Sequence, residues 1–470
     1  MNDDREHLYE EEEEILETVR RYESMKKKKV RFFFDVYEFE NIIDYYIGSN
    51  KANNAFEAAT LASEQHPSSI IIQLKKAQVL VDKGEPLQSL QILERLEALE
   101  SSNYEIFAMK GTALSLMGDL EGAQKNYDRA LSLNPDNKDD LLFEIAQAFE
   151  HLGHFREAIR YLIRADESDP GNTSIIYEIA FCYNKLNNLD KSIEYYKRYL
   201  DIEPYADNIW YNLGIVYNKS GDFAKAIESY DFAIAINETN AFAHFNKANI
   251  LANLERYEAA IHAYEEYLKI DEESSEAFTY IAECYEGLGD TTNAIRYFRK
   301  ALDVDPDFPE PWYGLGKMFI NENLPEDSIY YLKKAIELDK DDPDYWIALA
   351  IAQKALNDLP QAESAFLEAL KLDPYDYQAW IDLGDIMVKK KRYPEAFAVM
   401  IKASDNLPDH PGIFYRISAC CFLLSKEEEG LKYLSRGLEL NYHKHSDLFE
   451  WYPKGKSSRK IRKRINEYKN

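Results

Sequence analysis

The sequence predicts an all-α chain made from one helical hairpin repeated about twelve times. Three observations carry that prediction. Side chains of the same kind return every 34 residues over most of the chain. Gly and Pro number only 18 and 16, so long runs are free of helix breakers. At 470 residues the chain is too long for one conventional core, and tandem repeats would divide it into many small, similar interfaces.

The repeat is clearest over Asp207–Asn240. Trp210, Leu213, Gly214 and Tyr217 share one face of a first helix, Gly221 interrupts, and Ala226, Tyr230 and Ala233 mark a second helix. In the same frame the second-helix Ala226 becomes Ala260, Ala294, Ser328, Ala362 and Ala396 downstream, and Ser192, Ala158, Ala123 and Ala55 upstream. Small residues at this place and beside the first-helix Leu let two helices approach closely, while aromatics fill the space between hairpins. Gly84, Gly118, Gly153, Gly221 and Gly289 supply a left-handed turn between the helices. Pro67, Pro135, Pro170, Pro204, Pro306, Pro374 and Pro408 close second helices that cannot continue through them.

Twelve hairpins start near Val36, Ile70, Tyr104, Asp139, Thr173, Asp207, Ala241, Ser275, Pro309, Pro343, Tyr377 and Pro411, the third carrying one extra residue. The first fits in part, the second weakly, and the last has Gly430 and Gly437 where alanines are expected. Together they span 36–444, about 409 residues. The W-x2-L-G-x2-Y run, the later Ala-x3-Phe, the Ala and the Pro resemble the signature of the tetratricopeptide repeat family. That resemblance implies a right-handed α-solenoid of helix-turn-helix units and a non-enzymatic role in binding proteins or peptides. An accessory or regulatory subunit of a larger machine is the alternative it leaves open.

The stretch 1–35 reads as a charged lead-in helix. Glu10–Glu14 precedes Ile15, Leu16, Val19 and Tyr22 at helical spacing, and Lys26–Lys29 follows, a charge order that suits the helix dipole. Phe32–Phe34 is expected to pack on the first hairpin. At the other end, 445–470, Leu448, Phe449, Trp451 and Tyr452 read as a first helix without a partner, and Pro453, Gly455 and two serines as a linker. Ile461, Ile465 and Tyr468 line one side of a last helix whose other faces carry Arg459, Lys460, Arg462, Lys463 and Arg464. Those cations form either a solvating cap resting on the acidic array or a basic foot for an acidic partner, a membrane surface or RNA.

The formal net charge is −28, with −3 in residues 1–35 and +5 in 445–470, so the body holds −30. Such a surface repels phosphate backbones, and nucleic-acid binding by the body is excluded. Met1–Glu14 is acidic where a secretory leader needs a basic start, and no apolar run approaches the ~20 residues that span a bilayer. Four cysteines make no disulfide framework, and a reducing cytoplasm is the expected compartment.

In each first helix, places 4, 7, 8 and 11 form the apolar stripe and places 2, 6, 9 and 13 fall opposite, the side that lines the concave groove of tetratricopeptide superhelices. The sixth hairpin puts Asn208 and Asn212 there, flanked by Tyr211; the seventh puts Phe242, Asn246, Asn249 and Asn253 there, flanked by Phe245. Each mid-helix Asn costs up to ~0.7 kcal/mol relative to Ala. A carboxamide can pair with both N–H and C=O of an extended peptide, and the row resembles the asparagine ladder of some glycosyltransferases and protein-import receptors. Plain polar surface is the competing reading. Groove places of hairpins five to eight (Glu178, Lys185, Lys219, Glu276, Glu283) do not form the family's carboxylate clamp, and Glu276, Tyr280 and Glu283 would welcome a basic segment.

No phosphate loop, nucleophile elbow or Cys cluster with metal spacing is present. Cys182, Cys284 and Cys420 share one place beside the stripe and, with Cys421, read as core residues. His151 with His154, and His443 with His445, lack further ligands nearby, so no metal, no cofactor and no catalytic residue is expected.

Overall fold

The computed structural model describes residues 2–28, 30–133 and 138–469, with side chains from residue 13 onward. Pro135, Lys29 and the side chains of Glu10, Glu11 and Glu12, all named above, lie outside the described residues. Among the described residues the chain is all-α, with no strand, in tandem antiparallel helix pairs of 12 to 14 residues per helix. It is an all-α solenoid. Contacts divide it into two compact blocks, Met1–Asn237 and Glu238–Asn470.

The first block holds the lead-in helix Asn2–Lys28 and six hairpins, from Val36–Gly48 with Ala52–Gln65 to Asp207–Ser220 with Phe223–Ile236. Val19, Tyr22 and Met25 of the lead-in helix are buried against Phe34 and Tyr46. Of Phe32–Phe34 only Phe34 is fully enclosed, and Phe33 is 68% exposed. Gln65 clamps this segment: its Oε1 accepts from the Phe34 amide at 3.1 Å and its Nε2 donates to the Phe32 carbonyl at 2.8 Å.

The second block holds six hairpins, from Ala241–Asn253 with Tyr257–Leu268 to Pro411–Leu423 with Glu427–Leu440, and the C-terminal cap. The helix expected over Leu448–Tyr452 is a single turn, Leu448–Trp451, between 3-10 segments Tyr442–Asp447 and Pro453–Ser457. Pro453 and the buried Gly455 prevent its extension. The last helix, Arg459–Asn466, buries Ile461 and Ile465; Tyr468 stays half-exposed, its hydroxyl 3.5 Å from Glu439.

The place occupied by Ala226 is closed to solvent in every hairpin. Where it is serine, the hydroxyl satisfies itself across the hairpin: Ser89, Ser192 and Ser328 donate to the carbonyls of Ala77, Ala180 and Gly316, each at 2.8 Å. The last hairpin reverses the pair, with Ser418 donating to the Gly430 carbonyl at 2.7 Å. Opposite, a Cβ on Gly214 would lie 2.6 Å from the Tyr230 ring. The buried stripe is wider than places 4, 7, 8 and 11. Place 3 (Ile209, Ala277, Ile413) and place 10 (Val216, Cys284, Cys420) are fully enclosed, while the Trp of place 4 is half-buried at three of its four sites. There the indole N–H donates to the carbonyl six residues earlier: Trp210 to Pro204, Trp312 to Pro306, Trp346 to Lys340 and Trp380 to Pro374, at 2.8 to 2.9 Å.

All twelve mid-hairpin turns pass through a residue with positive φ. The five expected glycines have φ from 74° to 81°, and the rest are Asn50, Asn187, Glu255, Asn323, Asn357, Lys391 and Ser425 at 56° to 61°. A left-handed L-residue costs about 1–2 kcal/mol, less for Asn, and glycine gives back about 0.5–1 through unfolded-chain entropy. Glu255→Gly and Lys391→Gly are therefore expected to raise stability by about 0.5–1 kcal/mol each, and Asn357→Gly by less. Urea midpoints of the three variants check this ranking.

Candidate functional site

The eight groove residues expected from sequence divide between the blocks: Asn208, Tyr211 and Asn212 on Asp207–Ser220, and Phe242, Phe245, Asn246, Asn249 and Asn253 on Ala241–Asn253. In the first block Asn208 is exposed and Asn212 half-buried. The Asn212 side chain lies beside Tyr177 of the preceding hairpin. Tyr211 leans on Tyr230 with ring centroids 5.8 Å apart. Lys219, at the end of the same helix, donates to Asn184 Oδ1 at 2.9 Å.

In the second block Phe242 is 71% exposed and Asn246 half-buried. Phe245 sits in an aromatic nest, 5.0 Å from Tyr267, 5.7 Å from Tyr264 and 5.9 Å from Tyr280. The Tyr264 hydroxyl donates to Asn249 Oδ1, so the carboxamide is oriented with its N–H groups left to donate. Asn249, Asn253, Tyr264, Tyr280 and Glu283 line a cleft of about 440 Å³. Burial first, then neighbouring acids, holds the Glu283 carboxyl above its usual range against the opposing pull of Lys317. Tyr264 and Tyr177 were not visible as site residues from sequence. Tyr264 occupies the filler place of its second helix, and its phenolic handle is the signal that a buried Tyr finds a polar partner.

A second polar cluster lies in the first block, between the first helices of hairpins four and five, Lys138–His151 and Thr173–Lys185. The Glu150 and Glu178 carboxyls face each other, and Cys182 Sγ donates to Glu150 Oε1 at 3.0 Å. Burial, then the Glu150 charge, pushes Glu178 up to about 7, and burial raises Glu150 as well. Other half-buried acids are paired with cations, such as Asp166 with Arg198 at 2.6 Å and Asp382 with Lys354 at 2.5 Å. Among the described residues no ion pair holds Glu150 or Glu178. Cys182, Cys284, Cys420 and Cys421 are buried free thiols; burial pushes the last three up to about 12 and Cys182 higher still, which keeps them from nucleophilic chemistry.

On the C-terminal helix, Lys460 bridges to Glu427 at 2.8 Å and Arg464 to Glu467 at 3.5 Å, while Arg462 donates to the Ser457 carbonyl at 3.1 Å. Arg459 and Lys463 are exposed. The cap thus rests partly on the acidic array and partly faces solvent. His445 Nδ1 lies 2.8 Å from the Tyr442 carbonyl. Among the described residues no group of three or more His, Cys, Asp or Glu is arranged to hold a metal ion, and no helix is long and apolar enough to cross a membrane.

Family models described as the tetratricopeptide repeat match residues 114–174, 173–205, 208–240, 241–274, 285–352 and 347–411. The protein y4yS of Sinorhizobium fredii is 28% identical over 75 residues, 16% of this chain; the chain spans only 41% of that relative's length. The C-terminal part of a repeat protein from Cytophaga hutchinsonii is 19% identical, with a TM-score of 0.45 over 51% of this chain and 99% of that one. YrrB, described as having an unusual peptide-binding site, is 26% identical, with a TM-score of 0.33 over 39% of this chain and 95% of its own. MamA is 25% identical, with a TM-score of 0.35 over 36% of this chain and 92% of its own.

Proposed function

The chain belongs to the tetratricopeptide repeat family, whose repeats serve as protein-interaction scaffolds, and from that premise we propose that it is a non-enzymatic cytoplasmic scaffold holding an extended peptide segment of a partner against the first helix of its seventh hairpin. One observation carries this reading. Asn249 is held by Tyr264 so that its amide N–H groups remain to donate, in a cleft walled by Tyr280 and Glu283. Asn246 and Asn253 extend the same chemistry, which pairs with any peptide backbone, while Phe242 and Phe245 supply apolar contact for side chains; in the other block Asn208, Asn212 and Tyr211 offer the same kinds of group on the sixth hairpin.

The test is the triple variant Asn212→Ala, Asn246→Ala, Asn249→Ala, compared with the native chain in affinity capture from the source cell followed by mass spectrometry. Replacing Asn by Ala raises helix propensity, so the array stays folded by circular dichroism. The expected result is loss of a defined set of partners. An unchanged set, with the fold intact, moves the interface elsewhere. The basic helix supplies the second reading: exposed Arg459 and Lys463, together with Lys460, Arg462 and Arg464, would bind an acidic partner. Binding of that kind falls steeply as salt rises.

A further inference from the structure

The first block carries a second cleft, of about 530 Å³, along the first helices of hairpins one to four. Its floor is apolar: Leu74, Met109, Leu141 and Ile145, with Ile71 47% exposed at the edge. Its rim carries Glu40, Glu105 and Glu144 from three different helices, Val36–Gly48, Tyr104–Leu116 and Lys138–His151. None of the three forms an ion pair among the described residues. Among the described residues Lys75 is the one cation lining the cleft, and both oxygens of Asp44 accept from it at 2.6 and 2.8 Å. Glu40 and Glu144 are held above the usual carboxylate range, first by burial; Lys75 opposes the rise at Glu40, while neighbouring acids, Asp44 and Glu105 at Glu40 and Asp140 and Glu105 at Glu144, add to it.

We propose that this cleft binds an extended segment of a partner protein in which arginine or lysine alternates with apolar residues, the cations meeting Glu40, Glu105 and Glu144 and the apolar side chains covering Leu74, Met109 and Ile145. Charge complementarity fixes the sign of the occupant, because three carboxylates outside any ion pair, with only Lys75 acting on Glu40, stand beside an apolar floor and favour a cation that brings its own apolar flanks. The length of the cleft fixes its kind. First helices of successive hairpins lie side by side, and at about 9 Å per step four of them span about 27 Å. An extended chain of about eight residues covers that distance. A metal ion or a short diamine would leave most of the floor wet. The site lies wholly within the first block and is independent of the asparagine-bearing helices.

The experiment uses the full chain and a fluorescein-labelled octapeptide alternating leucine with arginine, with fluorescence anisotropy as the readout. The expected result is one-to-one binding that weakens more than tenfold in Glu105→Gln/Glu144→Gln and in Met109→Ala. An equal neutralisation distant in sequence, Glu326→Gln/Asp327→Asn on the ninth hairpin, should leave it unchanged. A peptide with citrulline in place of arginine should also bind at least tenfold more weakly. Equal weakening in the distant variant would overturn the proposal, because it would show general attraction to an acidic surface. Equal binding of the citrulline peptide would do the same. So would weakening in the Asn212/Asn246/Asn249 alanine variant rather than in the glutamate variant, which places the peptide on the other helices. Self-association of the free chain that Glu105→Gln abolishes would identify a second copy as the occupant and also overturn it.

Discussion

Arg416→Ala will weaken the second block by about 3 kcal/mol and release the C-terminal cap, the low end of what breaking a buried ion pair costs. Arg416 is only 5% exposed. Its guanidinium donates to Glu450 at 2.6 Å, to the Tyr377 hydroxyl at 3.0 Å and to Asp447 at 3.4 Å, and lies 5.7 Å from the centre of the Trp451 ring. Trp451 in turn donates its indole N–H to Asp385, and its ring lies where a side chain on Gly384 would sit. One cation therefore ties hairpins eleven and twelve to the segment after them. The low end applies because Glu450 keeps much of its solvent and is not stranded when Arg416 is removed. Lysine will restore little, since an ammonium cannot make the forked contacts. Amide exchange over 442–466, measured beside the urea midpoint, separates the roles. If those amides keep native protection in Arg416→Ala, Ile461 and Ile465 hold the cap by themselves.

The second large effect is in pH dependence. The folded state raises Glu178 from 4.5 to about 7, so in that interval the native chain binds a proton that the unfolded chain has lost. Stability associated with that proton is complete below about 4.5 and is lost as pH rises through about 7. Taken at face value the shift corresponds to about 3 kcal/mol. Solvent screening of a half-exposed carboxyl reduces this to about 1–2 kcal/mol. Groups facing the pair are Cys182 and Tyr177 on the same helix as Glu178, His151 beside Glu150, and Tyr196 from the second helix of hairpin five. None of them is a lysine or arginine that would reverse the sign. Glu178→Gln keeps the side chain's size, offers an amide N–H to Glu150, and removes the titration. It is expected to match the native chain at pH 5 and exceed it by about 1–2 kcal/mol at pH 8.5. Should the variant lose stability between those pH values as the native chain does, the titrating group is elsewhere.

The hairpin register was legible because it rests on volume. Gly, Ala or Ser stands at the Ala226 place in all twelve hairpins and at the Gly214 place in all but the first, which has Ile43 there, so the constraint recurs in step along the chain. Turns were legible only where glycine marks them. Glu255, Lys391 and Ser425 adopt the same left-handed conformation because the interface around the turn outweighs a local cost of about 1–2 kcal/mol. Contacts between different hairpins were harder to read. Glu150 and Glu178 lie 28 residues apart at different places of their repeats, and nothing in either repeat marks them as partners. Arg416 occupies the place where the sixth and seventh hairpins have asparagine, and its burial depends on a cap whose path follows no repeat. Helix caps also escaped notice: Asn172, Asn240, Ser274 and Asp376 each accept a backbone N–H at the start of a first helix, which keeps the inter-hairpin loops short.

Each place-4 indole proton is committed to the carbonyl of one inter-hairpin loop, and that of Trp451 to Asp385. With 5 tryptophans in the chain, a two-dimensional NMR spectrum would show five such signals, each a separate gauge of one junction. Unravelling from the C-terminal end would then be read as a sequence of disappearances, Trp451 first and Trp380 next.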